Sequence, residues 1–194
     1  MQYLFEAWCR DPRPLLFGEY LDQLYRSWDS WTPASPIGQE LADLYRESHR
    51  RIRADQRFAV CYLGVDHLKK YNERHGDERG KKIVSILSTT LRNAVRNRCP
   101  SDGFVAYLGG GNFIFLVTIG QVNAICGEVC DLFDKQVPRQ DEPTLALSIG
   151  VVTNEERAFV HFSQITELVI EMKSYAETLP DSVFVVDRRH EPDL

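Results

Sequence analysis

Apolar residues recur in helix-like and strand-like periods along most of the chain. Leu15, Leu16, Tyr20, Leu21, Leu24, Tyr25 and Trp28 follow three- and four-residue spacing and predict a helix over 14–29. Pro33 and Pro36 then break it. A second helix is expected to start with Pro36 at its first position, where a missing N–H costs nothing, and to run to Ala54. Ile37, Leu41, Leu44, Tyr45 and Ile52 would form its buried stripe. Phe58–Val65 (FAVCYLGV) is a continuous apolar run of strand length. A strand apolar on both faces needs cover on both, so it reads as central in its sheet.

A short helix is expected over 66–73, then a long amphipathic one over 78–98 with Ile83, Ile86, Leu87, Leu91, Ala94 and Val95 on its stripe. Pro100 to Gly103 form a turn. Phe104–Leu108 and Phe113–Ile119 read as two strands joined by the hairpin connection Gly109-Gly110-Gly111-Asn112. A helix over 121–136, a polar loop through Asp141, a strand at Thr144–Val152, a helix over 163–178 and a strand at Val183–Val186 complete the chain. From the first strand onward the order is β-α-α-β-β-α-β-α-β, which contains the split βαββαβ unit of ferredoxin-like folds. The predicted class is α+β, with a mainly antiparallel sheet flanked by helices. Residues 1–35 form a helical extension, which holds all three tryptophans and three of the nine prolines, and residues 36–194 form the domain.

Composition narrows the function. The 194 residues are 43% hydrophobic and 26% charged, which excludes wholesale disorder. Lys+Arg is 23 against 28 Asp+Glu, a net charge of −5, so a nucleic-acid partner is not expected. The basic runs Arg50, Arg51, Arg53, Arg57 and Lys69, Lys70, Lys81, Lys82 read as solvated faces. No run of ~18 apolar residues suggests a membrane partner, and the opening MQYLFEAWCRDPRP is unlike a secretory signal, so a cytoplasmic location is expected. The odd count of five cysteines excludes a fully paired disulfide scaffold. Cys126 and Cys130, at i and i+4, are either two zinc ligands or two small core residues; no second ligand pair accompanies them, which favours the core. His49, His67, His75, His161 and His190 show no paired spacing.

Four segments carry a family resemblance: FAVCYLGVDHLKKYNERHGDERG, YLGGGNFIFLV, LALSIGVVT and MKSYAETLPDSVFVVD. Together, over about residues 36–188, they resemble a GGDEF domain, the diguanylate cyclase family that condenses two GTP into cyclic di-GMP. The resemblance implies a nucleotide-cyclase-like fold. It also implies a site where metal ions neutralise charge on the α-phosphate and the leaving pyrophosphate. The family draws its metal carboxylates from the end of the first strand and from the third position of the signature hairpin. The corresponding residues are Gly64 and Gly111, and the acidic fourth position is Asn112, so the signature reads GGGNF. Asp66 is either a substitute metal ligand or the N-cap of the next helix.

Other family positions are altered too. The resemblance aligns the triphosphate-binding lysine and arginine with Glu177 and Asp181, a reversal of charge. Of the guanine-binding pair it retains Asn72, while the aspartate position is Lys81. Lys69 matches a phosphate-proximal lysine, or is simply an exposed one. The R-x-x-D inhibitory motif aligns with Pro100 and Gly103; Arg98 and Asp102 stand one residue too far apart, so no inhibitory site is expected. Arg98 reads as a helix-end residue favoured by the dipole, and Ser148 in LSIG as structural. The glycines Gly76, Gly80, Gly109 and Gly110 are retained.

The expectation is a catalytically inactive GGDEF-like domain, with catalytic side chains lost at Gly64, Gly111 and Asn112, no cofactor, and a role in signalling through a protein partner. A homodimer through the first two helices is a further candidate. The alternative is a sensor that binds GTP or cyclic di-GMP without turnover, using Asn72, Lys69, Gly109 and Gly110, since glycine-loop N–H groups can hold phosphate without metal. An active cyclase with magnesium on relocated ligands ranks last.

Overall fold

The computed structural model describes residues 36–137 and 142–189; the helix expected over 14–29 and the rest of the 1–35 extension lie outside them. The elements are α1 (Pro36–Arg53), β1 (Ala59–Val65), α2 (Leu68–His75), α3 (Asp77–Arg98), β2 (Phe104–Gly109), β3 (Asn112–Val117), α4 (Val122–Gln136), β4 (Leu147–Thr153), α5 (Phe162–Ala176) and β5 (Val183–Val186). A single 3-10 turn, Ile119–Gln121, leads into α4. The five strands form one sheet in the order β2-β3-β1-β4-β5. All neighbours are antiparallel except β4 and β5, which run parallel. The element order and the mainly antiparallel α+β sheet agree with the sequence reading.

The apolar run of β1 explains its central place. Every one of its residues is buried. Because side chains alternate between faces, Ala59, Cys61, Leu63 and Val65 join one core and Val60 and Tyr62 the other. The first core includes Leu87, Leu91, Phe115, Val129 and Phe133, under α3 and α4. The second includes Leu41, Leu44, Ile114, Phe162 and Val169, under α1 and α5. Each such buried side chain contributes about 1.5–3 kcal/mol. Cys61, Cys99, Cys126 and Cys130 are buried free thiols. Burial pushes the Cys130 thiol up to about 12, consistent with a core residue rather than a metal ligand.

Three local expectations need correction. Ile86 is 38% exposed, because the buried line of α3 runs through Ile83, Leu87, Leu91 and Val95 and leaves position 86 at its margin. The strand expected from Thr144 begins only at Leu147. Arg51, read as part of a solvated face, is 1% exposed. Its Nε donates to Glu47 Oε1 at 2.7 Å and its Nη2 to the Asp102 carbonyl at 2.5 Å, with the guanidinium 5.7 Å from the Phe58 ring centroid. The cation thus ties α1 to the turn before β2. Among the described residues, no helix is long and apolar enough to cross a membrane.

The approach of α5 to β4 is set by Gly150. A Cβ at that position would fall 2.2 Å from the Val169 carbonyl oxygen and 2.4 Å from the Lys173 backbone nitrogen. Real Cβ atoms never come so close, and both obstacles are backbone. Gly150→Ala should therefore cost about 3 kcal/mol or more in urea unfolding, because the helix as a whole must lift. Gly127→Ala in α4, where a Cβ meets nothing within 4 Å, should instead stabilise by up to about 1 kcal/mol.

Acid stability offers a second check. Hydrogen bonding from Arg50, and secondarily from Arg51, holds the Glu47 carboxyl at about 2 against the opposing effect of burial. A carboxyl lowered on folding contributes stability above its unfolded value of 4.5, and that contribution is lost as pH falls toward 2. Glu47→Gln should flatten the fall in unfolding free energy across that window, measured by urea titration at successive pH values; an unchanged slope contradicts the assignment.

Candidate functional site

The C-terminal tip of β1 gathers residues from four elements. Gly64 is in register with Asn112 of β3 on one side and Ser148 of β4 on the other. Past Val65 the chain turns into α2 through His67, which takes a left-handed conformation (φ 61°) at the N-cap position and makes no side-chain cap. Asp66 is therefore not the cap expected from sequence. Its N–H donates to the Ala146 carbonyl at 2.9 Å, and its Oδ2 accepts from the Ser148 hydroxyl at 2.5 Å. Burial pushes the Asp66 carboxyl up, partly offset by the Ser148 hydrogen bond and the Lys173 ammonium. Ser148, read as structural, is the buried donor that fixes this carboxylate.

Lys173 reaches the same tip from α5. Its ammonium pairs with Glu177 one turn on and lies 3.8 Å from Asp66 Oδ1, with the side chain only 12% exposed. A Cβ at Gly64 would fall 2.7 Å from Lys173 Cε, 3.1 Å from its Nζ and 3.0 Å from Asn112 Oδ1. The lysine and the asparagine thus fill the space in which a side chain at position 64 would project. Sequence reasoning passed over Lys173. The available signal was its spacing, because it continues the stripe Phe162, Ile165, Val169 at a four-residue step and so places a charge on the buried line of the helix.

The hairpin is a tight connection between β2 and β3. Gly109, Gly110 and Gly111 all have positive φ (93°, 58° and 83°), which glycine alone adopts without strain. Asn112 Nδ2 donates to the Gly109 carbonyl at 3.1 Å, and Tyr62 donates its hydroxyl to Asn112 Oδ1 at 3.3 Å. Asn112 therefore braces the turn. A Cβ at Gly111 would lie 2.6 Å from Leu68 Cδ2, so this position is closed by packing as well as by its backbone angle.

Two cavities flank the tip. One, of about 390 Å³, is lined by Asp66, His67, Asp134, Glu177 and Asp181, and so brings together Asp66 with the two positions of reversed charge. The other, of about 440 Å³, lies between α2, α3 and the hairpin and is lined by Asn72, Gly80, Lys81, Gly110 and Gly111. The Asn72 Oδ1 atom is buried there without a hydrogen-bond partner, and it rests against Gly80, where a Cβ would come within 1.8 Å of it. Of the residues expected to contact nucleotide, Asn72 and Gly110 share this cavity. Lys69 is exposed on α2, away from its lining. Arg98 ends α3 and pairs with Glu128 of α4 at 2.7 Å. Among the described residues, no group of three or more His, Cys, Asp or Glu is disposed to hold a metal ion.

Comparison with known proteins accords with this geometry. Residues 39–170 match the family described as diguanylate cyclase, GGDEF domain. YhcK, an uncharacterised protein of Bacillus subtilis, is 32% identical over 60 residues, which span 31% of this chain and 16% of that protein. The chain thus spans only about a sixth of the length of that relative. The GGDEF domain of DgcB from Caulobacter crescentus, solved with c-di-GMP, has the same fold (TM-score 0.62, 14% identity, 74% of this chain and 85% of that one). So does diguanylate cyclase SiaD from Pseudomonas aeruginosa, solved with its activator SiaC (TM-score 0.64, 17% identity, 88% of this chain and 68% of that one). The family match spans most of the chain and the fold is shared with these structures, and the chain belongs to the GGDEF domain family of diguanylate cyclases.

Proposed function

We propose that this GGDEF domain is catalytically inactive and serves cyclic di-GMP signalling as a protein-interaction module. The observation that carries the reading is the tip of β1. The positions that the family resemblance assigns to metal carboxylates are Gly64 and Gly111, neither with a side chain, and the Lys173 ammonium lies in the space beside Gly64. Mg²⁺ needs several oxygen ligands in near-octahedral order. An amide at Asn112, one carboxylate committed to Ser148 and Lys173, and a neighbouring ammonium do not fit such an ion. A loss of several kcal/mol of charge stabilisation lowers turnover tenfold for each ~1.4 kcal/mol. At the positions where the family resemblance expects the triphosphate's cations stand Glu177 and Asp181, which line the same cavity and would add repulsion.

The interaction role draws its support from what is retained. The sheet, the two cores and the glycine hairpin are present without the acidic site. The structurally similar diguanylate cyclase SiaD is found in complex with its activator SiaC, which supports a protein as the class of partner here. A cytoplasmic setting is part of the same proposal, as is the Trp-rich 1–35 segment as a docking or dimerisation element.

A second reading, nucleotide binding without turnover, is favoured by one observation: the unpartnered Asn72 Oδ1 facing a cavity of about 440 Å³ beside Gly110. One experiment separates the two. With GTP and Mg²⁺ or Mn²⁺, the full chain should form no cyclic di-GMP by chromatography, and calorimetric titration with GTP and cyclic di-GMP should give no heat of binding. Heat without product selects the sensor, and product refutes both.

A further inference from the structure

We propose that Lys173 is the resident cation of the site: its tethered ammonium occupies the charge position beside the β1 tip and keeps divalent ions out. The inference rests on the reading of the domain as inactive and adds what took the place of the lost ion. Its basis is geometric. The side chain of Lys173 is nearly enclosed, its Nζ pairs with Glu177, and it lies 3.8 Å from Asp66 Oδ1. Its stem crosses the space above Gly64, where a Cβ would come within 2.7 Å of Cε. Glycine at position 64 and lysine at position 173 are thus complementary, since a side chain on the strand would evict the lysine. The helix backbone is seated directly on β4 at Gly150, so making room by lifting the helix would cost that packing.

The charges support the same assignment. Asp66, Asp134, Glu177 and Asp181 line one cavity beside the tip. Asp66 and Glu177 are the two that the ammonium meets, and as like charges they repel each other unless a cation stands between them; Asp134 accepts from the Ser182 hydroxyl. The ammonium supplies a single positive charge without requiring ligands in octahedral order, and tethering spares it the entropy of capture. The Ser148 hydroxyl donates to Asp66 Oδ2, while Asp66 Oδ1, buried without a hydrogen-bond partner, has the ammonium 3.8 Å away as its counter-charge.

The test compares Mn²⁺ binding, followed by electron paramagnetic resonance, in the full-length wild type and in Lys173→Met and Lys173→Arg. Methionine keeps most of the stem and removes the charge; arginine keeps the charge. The wild type and Lys173→Arg should bind Mn²⁺ weakly, and Lys173→Met at least tenfold more tightly. Equal affinity in wild type and Lys173→Met overturns the proposal. A measurement on the unaltered protein covers the case in which Lys173→Met does not fold. Acylation of Lys173, read by mass spectrometry, should be at least tenfold slower than that of the exposed Lys69 and Lys70, and millimolar Mn²⁺ should not accelerate it. Fast acylation, or acceleration by Mn²⁺, refutes the assignment. Cyclic di-GMP formation by the wild type would instead defeat the inactive reading, so the two failures are distinct.

Discussion

The contact of α5 with β4 across Gly150 sets the height of the helix above the sheet, and the site follows from that height. With no Cβ at position 150, the Val169 carbonyl and the Lys173 amide settle onto the strand. From so low a helix, a lysine on the inward stripe projects over β1 toward Gly64. The same packing places Glu177 one turn later, at the rim of the acidic cavity. Backbone seating thus decides where one ammonium goes, and that ammonium decides which ions the tip can hold.

One position opens the space and another fills it. Gly64 removes the side chain that would compete for the volume, and Gly111 closes the hairpin against Leu68 with an angle unsuited to other residues. Replacing a dissolved divalent ion by a tethered monovalent one changes the chemistry available. An ammonium donates hydrogen bonds and balances charge, but it cannot activate a nucleophile as a Lewis acid does. On this account the fold of a cyclase persists because its cores are independent of the site. Ile114, Phe115 and Leu116 are fully buried in β3, away from the tip. The Asp66 carboxyl is held by Ser148, a residue of the sheet itself, so the cluster is braced from the strand side and from the helix side.

Most of the fold was legible in sequence because it rests on local periodicity. The eight apolar residues from Phe58 mark a central strand, the triple glycine a tight connection, and the stripe of Ile83, Leu87 and Leu91 a long surface helix. The site was legible only where identity alone decides, as at Gly64, Gly111 and Asn112. What could not be read depends on distant segments meeting. Arg51 looks like one of four solvated arginines until the Asp102 carbonyl, 51 residues away, is seen to receive it. Asp66 looks like a cap until β4 brings Ser148 beneath it. Lys173 carries a trace of its role in its spacing, but the glycine it complements lies in another strand. Family alignment drew attention to Glu177 and Asp181 and away from the lysine one turn earlier.

The central claim is that an ammonium stands in place of a divalent ion at the tip of β1. Diffraction at the manganese edge, from crystals grown with MnCl₂ and a non-hydrolysable GTP analogue, tests it most directly. The account predicts Lys173 Nζ lodged between Asp66 and Glu177, with no anomalous peak beside Gly64. A manganese ion coordinated by Asp66, with Lys173 turned away, would contradict it.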